Sequence, residues 1–130
     1  WGRNGSGQSS GSTSPSSIVQ PTLVGGAINV TAVGTGKDHT CYLGSLSRVW
    51  CLGDNSRGQL GQGGTFPPGM MPVQVQPPLN ATQLSVGAAA DHTCAVDPGG
   101  RAWCWGYDMF GQIGDGMLGG TENNPRPVSF

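Results

Sequence analysis

Short apolar stretches separated by turn residues run along the chain, and the periodicity of an amphipathic helix is nearly absent. Each stretch is five to eight residues long and is bounded by Gly, Pro, Asn or Asp, which is typical of β-strands. The predicted strands are 27–34, 39–43, 48–53, 81–87, 92–97 and 101–106. The pattern therefore predicts an all-β fold of short strands.

Two pairs of these strands are expected to form hairpins of the same design. A symmetric register would place the following cysteines opposite each other: Cys41 and Cys51, and Cys94 and Cys104. Neighbouring strand residues point to opposite faces, so each hairpin has two largely apolar faces. The first hairpin shows His39, Cys41, Leu43, Val49 and Cys51 on one face, and Thr40, Tyr42, Trp50 and Leu52 on the other. The second shows His92, Cys94, Val96, Ala102 and Cys104 against Thr93, Ala95, Trp103 and Trp105. A sheet with two apolar faces must be covered twice, as the stacked blades of a β-propeller are.

The hairpins belong to a sequence repeat. At a constant offset of 53, residues 34–63 match 87–116 at thirteen of thirty positions, where chance gives about two. A third copy opens the chain, because residues 2–8 align with 53–59 at an offset of 51. Repeats of this length fit propeller blades. The recurring positions expected to be structural are His39 and His92, Trp50 and Trp103, Gly53 and Gly106, and Gln59 and Gln112.

The repeat divides the chain into three parts of one propeller segment. Residues 1–33 are a partial first blade with a Ser- and Pro-rich loop at 9–17, residues 34–86 are the central repeat unit, and residues 87–130 are the second hairpin with a truncated final unit. We therefore expect about two and a half four-stranded blades.

Composition narrows the class of partner. Only 10% of the residues are charged and the net charge is −1, whereas nucleic-acid binding needs a basic stripe that displaces counterions from phosphates. No apolar run approaches the length of a membrane span. We expect protein partners or neighbouring copies of the chain, and neither a nucleic-acid partner nor a membrane span.

Four segments resemble a known repeat. They are 53–61 (Gly-Asp-Asn-Ser-Arg-Gly-Gln-Leu-Gly), 72–73 (Pro-Val), 91–96 (Asp-His-Thr-Cys-Ala-Val) and 101–106 (Arg-Ala-Trp-Cys-Trp-Gly). They are similar to the regulator of chromosome condensation propeller repeat. The chain departs from that pattern where Ser9-Ser10 replaces Leu-Gly and where Ala89 stands at the position of Gly36. The resemblance implies a closed ring of about seven blades, of which most would lie outside these residues.

The four cysteines form two copies of C-x9-C, one in each hairpin. Opposed residues of an antiparallel hairpin hold their Cβ atoms about 4.5–5.5 Å apart, close to the roughly 3.5–4.5 Å of a disulfide. The favoured interpretation is one disulfide per hairpin, each stabilising the fold by about 2.5–3 kcal/mol. Buried free thiols and a metal site are the alternatives, although the spacings typical of structural zinc are absent.

Three sequons, at Asn4, Asn29 and Asn80, have the form N-x-[ST] of N-glycosylation acceptors. Asn4-Gly5 is equally a turn signal. Acceptor sequons and disulfide-permissive cysteines together favour an extracellular or cell-surface location.

Neither the glycine-rich segments nor the acid–histidine pairs predict catalysis or a cofactor. A P-loop requires Lys and Ser or Thr after its last Gly, whereas segments 53–60 and 106–113 have Gln followed by Leu or Ile. Asp38 precedes His39, but adjacent strand residues point to opposite faces, and the same Asp-His-Thr triplet recurs at 91–93. We expect a structural role for both histidines, no enzyme activity, and no cofactor.

Aromatic and sulfur-containing residues divide into two groups. The tryptophans Trp50, Trp103 and Trp105 are expected in the blade core, with a carbohydrate or partner surface at Trp103 and Trp105 as the alternative. The less regular loops are candidates for a contact surface, since propellers bind through their rims. These candidate residues are Phe66, Met70, Met71, Met109 and Phe110, with Met117 and Leu118 beside them.

The favoured function is a non-enzymatic extracellular propeller module that serves as a scaffold or protein-interaction surface. One alternative, implied by the family resemblance, is a nucleotide-exchange factor for a small nuclear GTPase, in which the thiols would be free. A receptor ectodomain or a secreted inhibitor is another. Since even small rings use about four blades, we expect further blades from a longer chain or from stacked copies.

Overall fold

The computed structural model describes residues 1–10, 13–14, 16–21, 23–65 and 69–130. In this part of the chain the strands form two four-stranded antiparallel sheets and one two-stranded sheet, so the all-β propeller prediction is confirmed. The strands are β1 (Gly2–Arg3), β2 (Ser17–Ile18), β3 (Ala32–Thr35), β4 (His39–Leu43), β5 (Val49–Gly53), β6 (Gly69–Gln74), β7 (Gln83–Ser85), β8 (His92–Val96), β9 (Ala102–Tyr107) and β10 (Thr121–Pro127).

Each four-stranded sheet is a meander in which consecutive strands are neighbours. The first blade has the order β3-β4-β5-β6, and the second has the order β7-β8-β9-β10. The register of the central hairpins is the predicted one, because Cys41 lies opposite Cys51 and Cys94 lies opposite Cys104. This arrangement is that of two propeller blades.

The outer strands differ most from the predicted pattern. The first strands of the blades are shorter than the predicted 27–34 and 81–87, and the alternation of apolar residues did not predict β6 or β10. β6 and β10 each contain a proline within the strand, and their pairing shifts register. Outer strands of a sheet tolerate proline and bulges because one edge needs no hydrogen-bonded partner.

The core lies between the two blades. The cysteine-bearing face of the first blade packs against the face of the second blade that carries Ala95 and Trp105. The buried cluster consists of Cys41, Leu43, Val49, Cys51, Leu60, Val75, Ala81, Ala95 and Trp105. Because each large apolar side chain contributes about 1.5–3 kcal/mol when it is fully buried, this contact fixes one blade on the other.

The loop after the third strand of each unit is braced in the same way in all three copies. The Oδ1 atoms of Asn4, Asn55 and Asp108 accept the backbone N–H of Ser9, Leu60 and Ile113 at 3.0, 3.0 and 2.8 Å. The Oε1 atoms of Gln8, Gln59 and Gln112 accept the backbone N–H of Ser6, Arg57 and Phe110 at 2.9, 2.8 and 2.9 Å. The third repeat copy is therefore a structural unit as well as a sequence match.

The strand directions place the connecting segments on two opposite rims. One, here called the hairpin rim, contains 23–31, 44–48, 75–82 and 97–101. The other, here called the loop rim, contains 36–38, 54–65, 86–91 and 108–120. The described part of the chain contains no helix with the length and hydropathy needed to cross a membrane.

Candidate functional site

Both hairpins are closed by disulfides. Cys41 is bonded to Cys51 and Cys94 to Cys104, each across a sequence separation of 10. The first bond is fully buried between the blades, whereas Cys94 is half-buried on the outer face of the second blade. Among the described residues there is no group of three or more His, Cys, Asp or Glu side chains placed to bind a metal ion.

A buried polar network joins the blades through His39. Its Nε2 atom lies 2.9 Å from the Oγ1 atom of Thr93. The Thr93 hydroxyl donates to the carbonyl oxygen of Gln59 at 3.1 Å, so it accepts the hydrogen of the His39 Nε2–H group. The Trp105 indole donates to the same Gln59 carbonyl at 2.9 Å. The network satisfies the His39 Nε2–H, the Thr93 hydroxyl and the Trp105 N–H, which would otherwise be costly to bury, whereas His39 Nδ1 has no partner among the described residues.

The surroundings of His39 keep its ring neutral. Burial lowers the pKa of His39 from 6.5 to about 4, the nearby Asp54 carboxylate opposes this shift, His92 adds to it, and Asp38 opposes it. Asp38 lies near Arg3 and Gln8, at 3.6 Å from the Arg3 guanidinium and 3.3 Å from the Gln8 amide nitrogen. The Thr93 hydroxyl is fully buried and donates its hydrogen to the Gln59 carbonyl, so this network joins the two blades.

The tryptophans do not all lie in the core, which corrects the expectation. Trp105 is fully buried, whereas Trp50 and Trp103 are half-buried. The Trp103 indole is held near the surface because it donates to the Asp97 carboxylate at 3.0 Å. This hydrogen bond, followed by that from the Arg101 backbone N–H, lowers the pKa of Asp97 to about 2. Trp103 therefore braces the second hairpin turn.

An apolar surface lies on the loop rim at the end of β9. We call it the apolar loop cluster and define it as Tyr107, Met109, Phe110, Met117 and Leu118. Phe110 is 79% exposed and Leu118 is 78% exposed. Phe110 meets the Tyr107 ring edge to face at 6.2 Å, and the Arg57 guanidinium lies 5.0 Å from the centre of that ring.

The other candidate contact residues lie in strand β6 or outside the described residues. Met71 is an exposed residue of β6, and Met70 precedes it in the same strand. Phe66 lies outside the described residues. The structure thus groups Met109 and Phe110 with two neighbours, Met117 and Leu118, that complete the surface.

The three sequons lie in different environments. Asn29 and Asn80 are exposed on the hairpin rim. Asn4 is 0% exposed, and its side chain braces its own loop. This burial argues against a glycan at Asn4, which stays a prediction. Asn55 and Asp108 occupy the same repeat position and accept the same kind of loop hydrogen bond. The need for a hydrogen-bond acceptor at this position is therefore enough to explain why residue 4 is an asparagine.

An opening lies beside the first blade. A cleft of about 560 Å³ separates the β1–β2 pair from β4 and is lined by Trp1, Arg3, Lys37, Thr40, Tyr42 and Leu52 among others. β1 and β2 correspond in repeat register to β5 and β6, so the cleft lies between two units of the repeat. The walls of the cleft are the facing surfaces of two neighbouring repeat units. The cleft is therefore a gap between units and does not lie inside a single blade.

The meander sheets, their head-to-tail packing and the repeated loop braces define a propeller of tandem repeats. A family model described as the regulator of chromosome condensation (RCC1) repeat matches residues 47–96, and a second model with that description matches 30–59 and 82–112. The chain belongs to the RCC1 repeat family.

Curated relatives carry this repeat in proteins with different names. The chain is 31% identical over 133 residues to Protein RCC2 homolog of Danio rerio, covering 100% of this chain and 26% of that protein. It is 32% identical over 116 residues to the Ultraviolet-B receptor UVR8 of Arabidopsis thaliana, covering 89% of this chain and 25% of the receptor. Against the probable E3 ubiquitin-protein ligase HERC6 of Homo sapiens, identity is 33% over 94 residues, covering 72% of this chain and 9% of the ligase. The chain thus spans about a quarter or less of these relatives.

Solved structures show the same fold at low identity. Prp20p of Saccharomyces cerevisiae superposes with a TM-score of 0.82 at 17% identity, covering 100% of this chain and 33% of that one. Human WBSCR16 superposes with a TM-score of 0.80 at 22% identity, covering 98% of this chain and 33% of that one. Prp20p was described with its binding properties to Gsp1p and histones.

Proposed function

We propose that this chain is a non-enzymatic protein-interaction segment of an extracellular or cell-surface propeller. In this role the disulfide-closed blades are a scaffold, and the apolar loop cluster on the loop rim contacts a protein partner. The observation that carries the proposal is the exposure of Phe110 and Leu118 at 79% and 78% on one braced loop.

The composition of the cluster supports a protein partner. Aromatic residues, Met and Arg are enriched in protein–protein interfaces, where a few such side chains supply most of the binding energy. The loop is held in place because Asp108 accepts the Ile113 N–H at 2.8 Å and Gln112 accepts the Phe110 N–H at 2.9 Å. A preorganised loop loses less conformational entropy on binding.

The paired cysteines support the location. Disulfides persist in oxidising compartments and are rare in the nucleus and cytosol, and all four cysteines of this chain are bonded. This favours an extracellular scaffold over nucleotide exchange on a nuclear GTPase. The relatives include a receptor and ubiquitin ligases, so the shared repeat defines a scaffold whose function depends on its surface.

Site-specific photocrosslinking tests the proposal. A photoreactive amino acid replaces Phe110 in the full-length protein expressed in its own cells, and the matched control replaces Leu46, which is 84% exposed on the hairpin rim. We expect a discrete crosslinked partner from position 110 that is absent from position 46 and that Leu118→Ser weakens. No adduct at 110, or the same adducts from both positions, would contradict the proposal.

A further inference from the structure

Two sequons that are 51 residues apart in sequence meet at one turn of the structure. The Asn29 side-chain amide lies 3.4 Å from Ser45 Oγ, at the start of the first hairpin turn. Asn80 pairs through its backbone with Arg48, at the end of that turn, and the Ala81 N–H donates to the Ser47 carbonyl at 2.9 Å. The two acceptors therefore flank residues 44–48 on the hairpin rim.

Both acceptor asparagines are accessible. Asn29 is exposed and has a left-handed backbone with φ of 52°, and Thr31 of its sequon is also exposed. Asn80 and Thr82 are exposed too, and the Thr82 hydroxyl donates to the Val96 carbonyl oxygen at 3.3 Å. In contrast, the Asn4 side chain is buried by its loop brace. Exposure therefore separates two usable acceptors from one that is structural.

Apolar side chains surround these acceptors. Ile28, Val30 and Leu46 are all exposed beside the turn. Exposed apolar groups that lie together usually mark a surface that something covers. A sugar chain on each side of the turn would cover them with a hydrated polymer.

We propose that Asn29 and Asn80 both carry N-linked glycans, which cover the hairpin rim around residues 44–48 and leave the loop rim bare. The proposal rests on the extracellular location in the proposed function. In the transfer, the Asn Nδ2 atom forms a bond to the anomeric carbon of an oligosaccharide activated as a lipid pyrophosphate. The carbon–oxygen bond to the pyrophosphate breaks, the leaving group keeps the electron pair, and the amide nitrogen loses one proton to a base.

The two glycans would make the two rims of the segment different. A bulky hydrated chain excludes protein contact on the rim that carries it, so partners are confined to the opposite rim. That rim carries Phe110 and Leu118. The same fold thereby separates a shielded rim from a binding rim.

Peptide mapping of the full-length protein purified from its own cells tests the proposal. The protein is treated with a glycosidase in heavy-oxygen water, which converts each glycosylated Asn to a labelled Asp. We expect label at Asn29 and Asn80, none at Asn4, and a loss of sugar mass from the intact protein. Thr31→Ala and Thr82→Ala should each remove one label, whereas the matched variants Thr31→Ser and Thr82→Ser should keep both, which shows that the fold is not the cause of the loss.

Disulfide mapping of the same sample separates the two possible failures. Bonded cysteines with label missing at Asn29 or Asn80 would overturn this inference alone. Four free thiols without any label would overturn both the inference and the extracellular location. Label at Asn4 would also contradict the inference, because the buried brace could not then be the native state of that loop.

Discussion

Single residues show how the repeat adapts to its surroundings. A Cβ atom on Gly36 would overlap the His39 ring and lie 2.9 Å from the Ala90 carbonyl oxygen. Glycine is therefore required where the histidine is enclosed between blades. Ala89 occupies the same repeat position in the second unit, where His92 is only half-buried. Alanine at position 89 therefore occurs in the unit whose histidine, His92, is less tightly enclosed.

The buried His39 makes stability depend on pH. Because its folded pKa is lowered to about 4 while the unfolded value is 6.5, the unfolded chain binds a proton first as the pH falls. Stability is full above pH 6.5 and decreases between 6.5 and about 4 by roughly 2–3 kcal/mol. Urea unfolding at a series of pH values measures this decrease.

Two glutamine variants serve as controls for that measurement. His39→Gln should reduce the acid-dependent loss, because the ring that takes up the proton on unfolding is gone. His92→Gln should retain it, because His39 is intact. An equal pH dependence in His39→Gln and the unsubstituted protein would contradict the assignment to His39.

At the level of elements, the contact between blades pairs different faces of the same repeat. The cysteine face of the first blade meets the threonine face of the second, and Thr93 lies at the centre of the contact. Thr40 occupies the same repeat position as Thr93 but faces the cleft beside β1 and β2. Thr93 therefore lies within a contact between blades, whereas Thr40, its equivalent in the repeat, lies outside this contact.

Replacing Thr93 by valine removes the hydrogen bonds of its hydroxyl to His39 and Gln59, together with its 3.7 Å contact to Cys41 Sγ, and nearly preserves the side-chain shape. The buried His39 Nε2–H group then lacks its acceptor, so Thr93→Val should lower the free energy of unfolding by about 1–3 kcal/mol. Thr40→Val should change it by no more than about 0.5 kcal/mol. Chemical denaturation measures both, and equal effects of the two variants would contradict a special role for the Thr93 contact.

The central hairpins could be predicted from sequence because their information is local. Apolar alternation and the repeated C-x9-C spacing fix the register of β4 with β5 and of β8 with β9. The outer strands β6 and β10 could not be predicted by alternation, since prolines interrupt them.

The contacts of the candidate site that depend on packing could not be predicted in this way. The bond from His39 to Thr93 spans 54 residues and exists only once one blade is placed on the other. The burial of Asn4 and the meeting of Asn29 with Asn80 at one turn also depend on tertiary structure. The sequence signals for the Asn4 brace were its alignment with Asn55 in the repeat and the Asn4-Gly5 turn pattern.

In the whole molecule, the cysteine-bearing face of the second blade is partly exposed, whereas the equivalent face of the first blade is buried in the core. Cys94, Val96 and Ala102 are half-buried on this face, whereas Cys41, Leu43 and Val49 at the equivalent positions are buried in the core. A contact between two different faces can continue from copy to copy, since it is heterologous.

The 130-residue chain expressed alone is therefore expected to associate head to tail. Light scattering should give a mass above the 13.3 kDa of the monomer, and Val96→Glu should reduce the association because it places a charge on the open face. Leu46→Glu, at an 84% exposed position on the hairpin rim and away from the apolar loop cluster, is the matched control and should leave the mass unchanged. A monomer that unfolds cooperatively would contradict this expectation.

The proposed function requires this propeller segment to be a disulfide-closed scaffold of an oxidising compartment. Non-reducing peptide mapping tests it most directly, on protein taken from its own cells after immediate alkylation. We expect two linked peptide pairs, Cys41 with Cys51 and Cys94 with Cys104, and no alkylated cysteine in this segment. Alkylation of all four cysteines in the folded protein would contradict it.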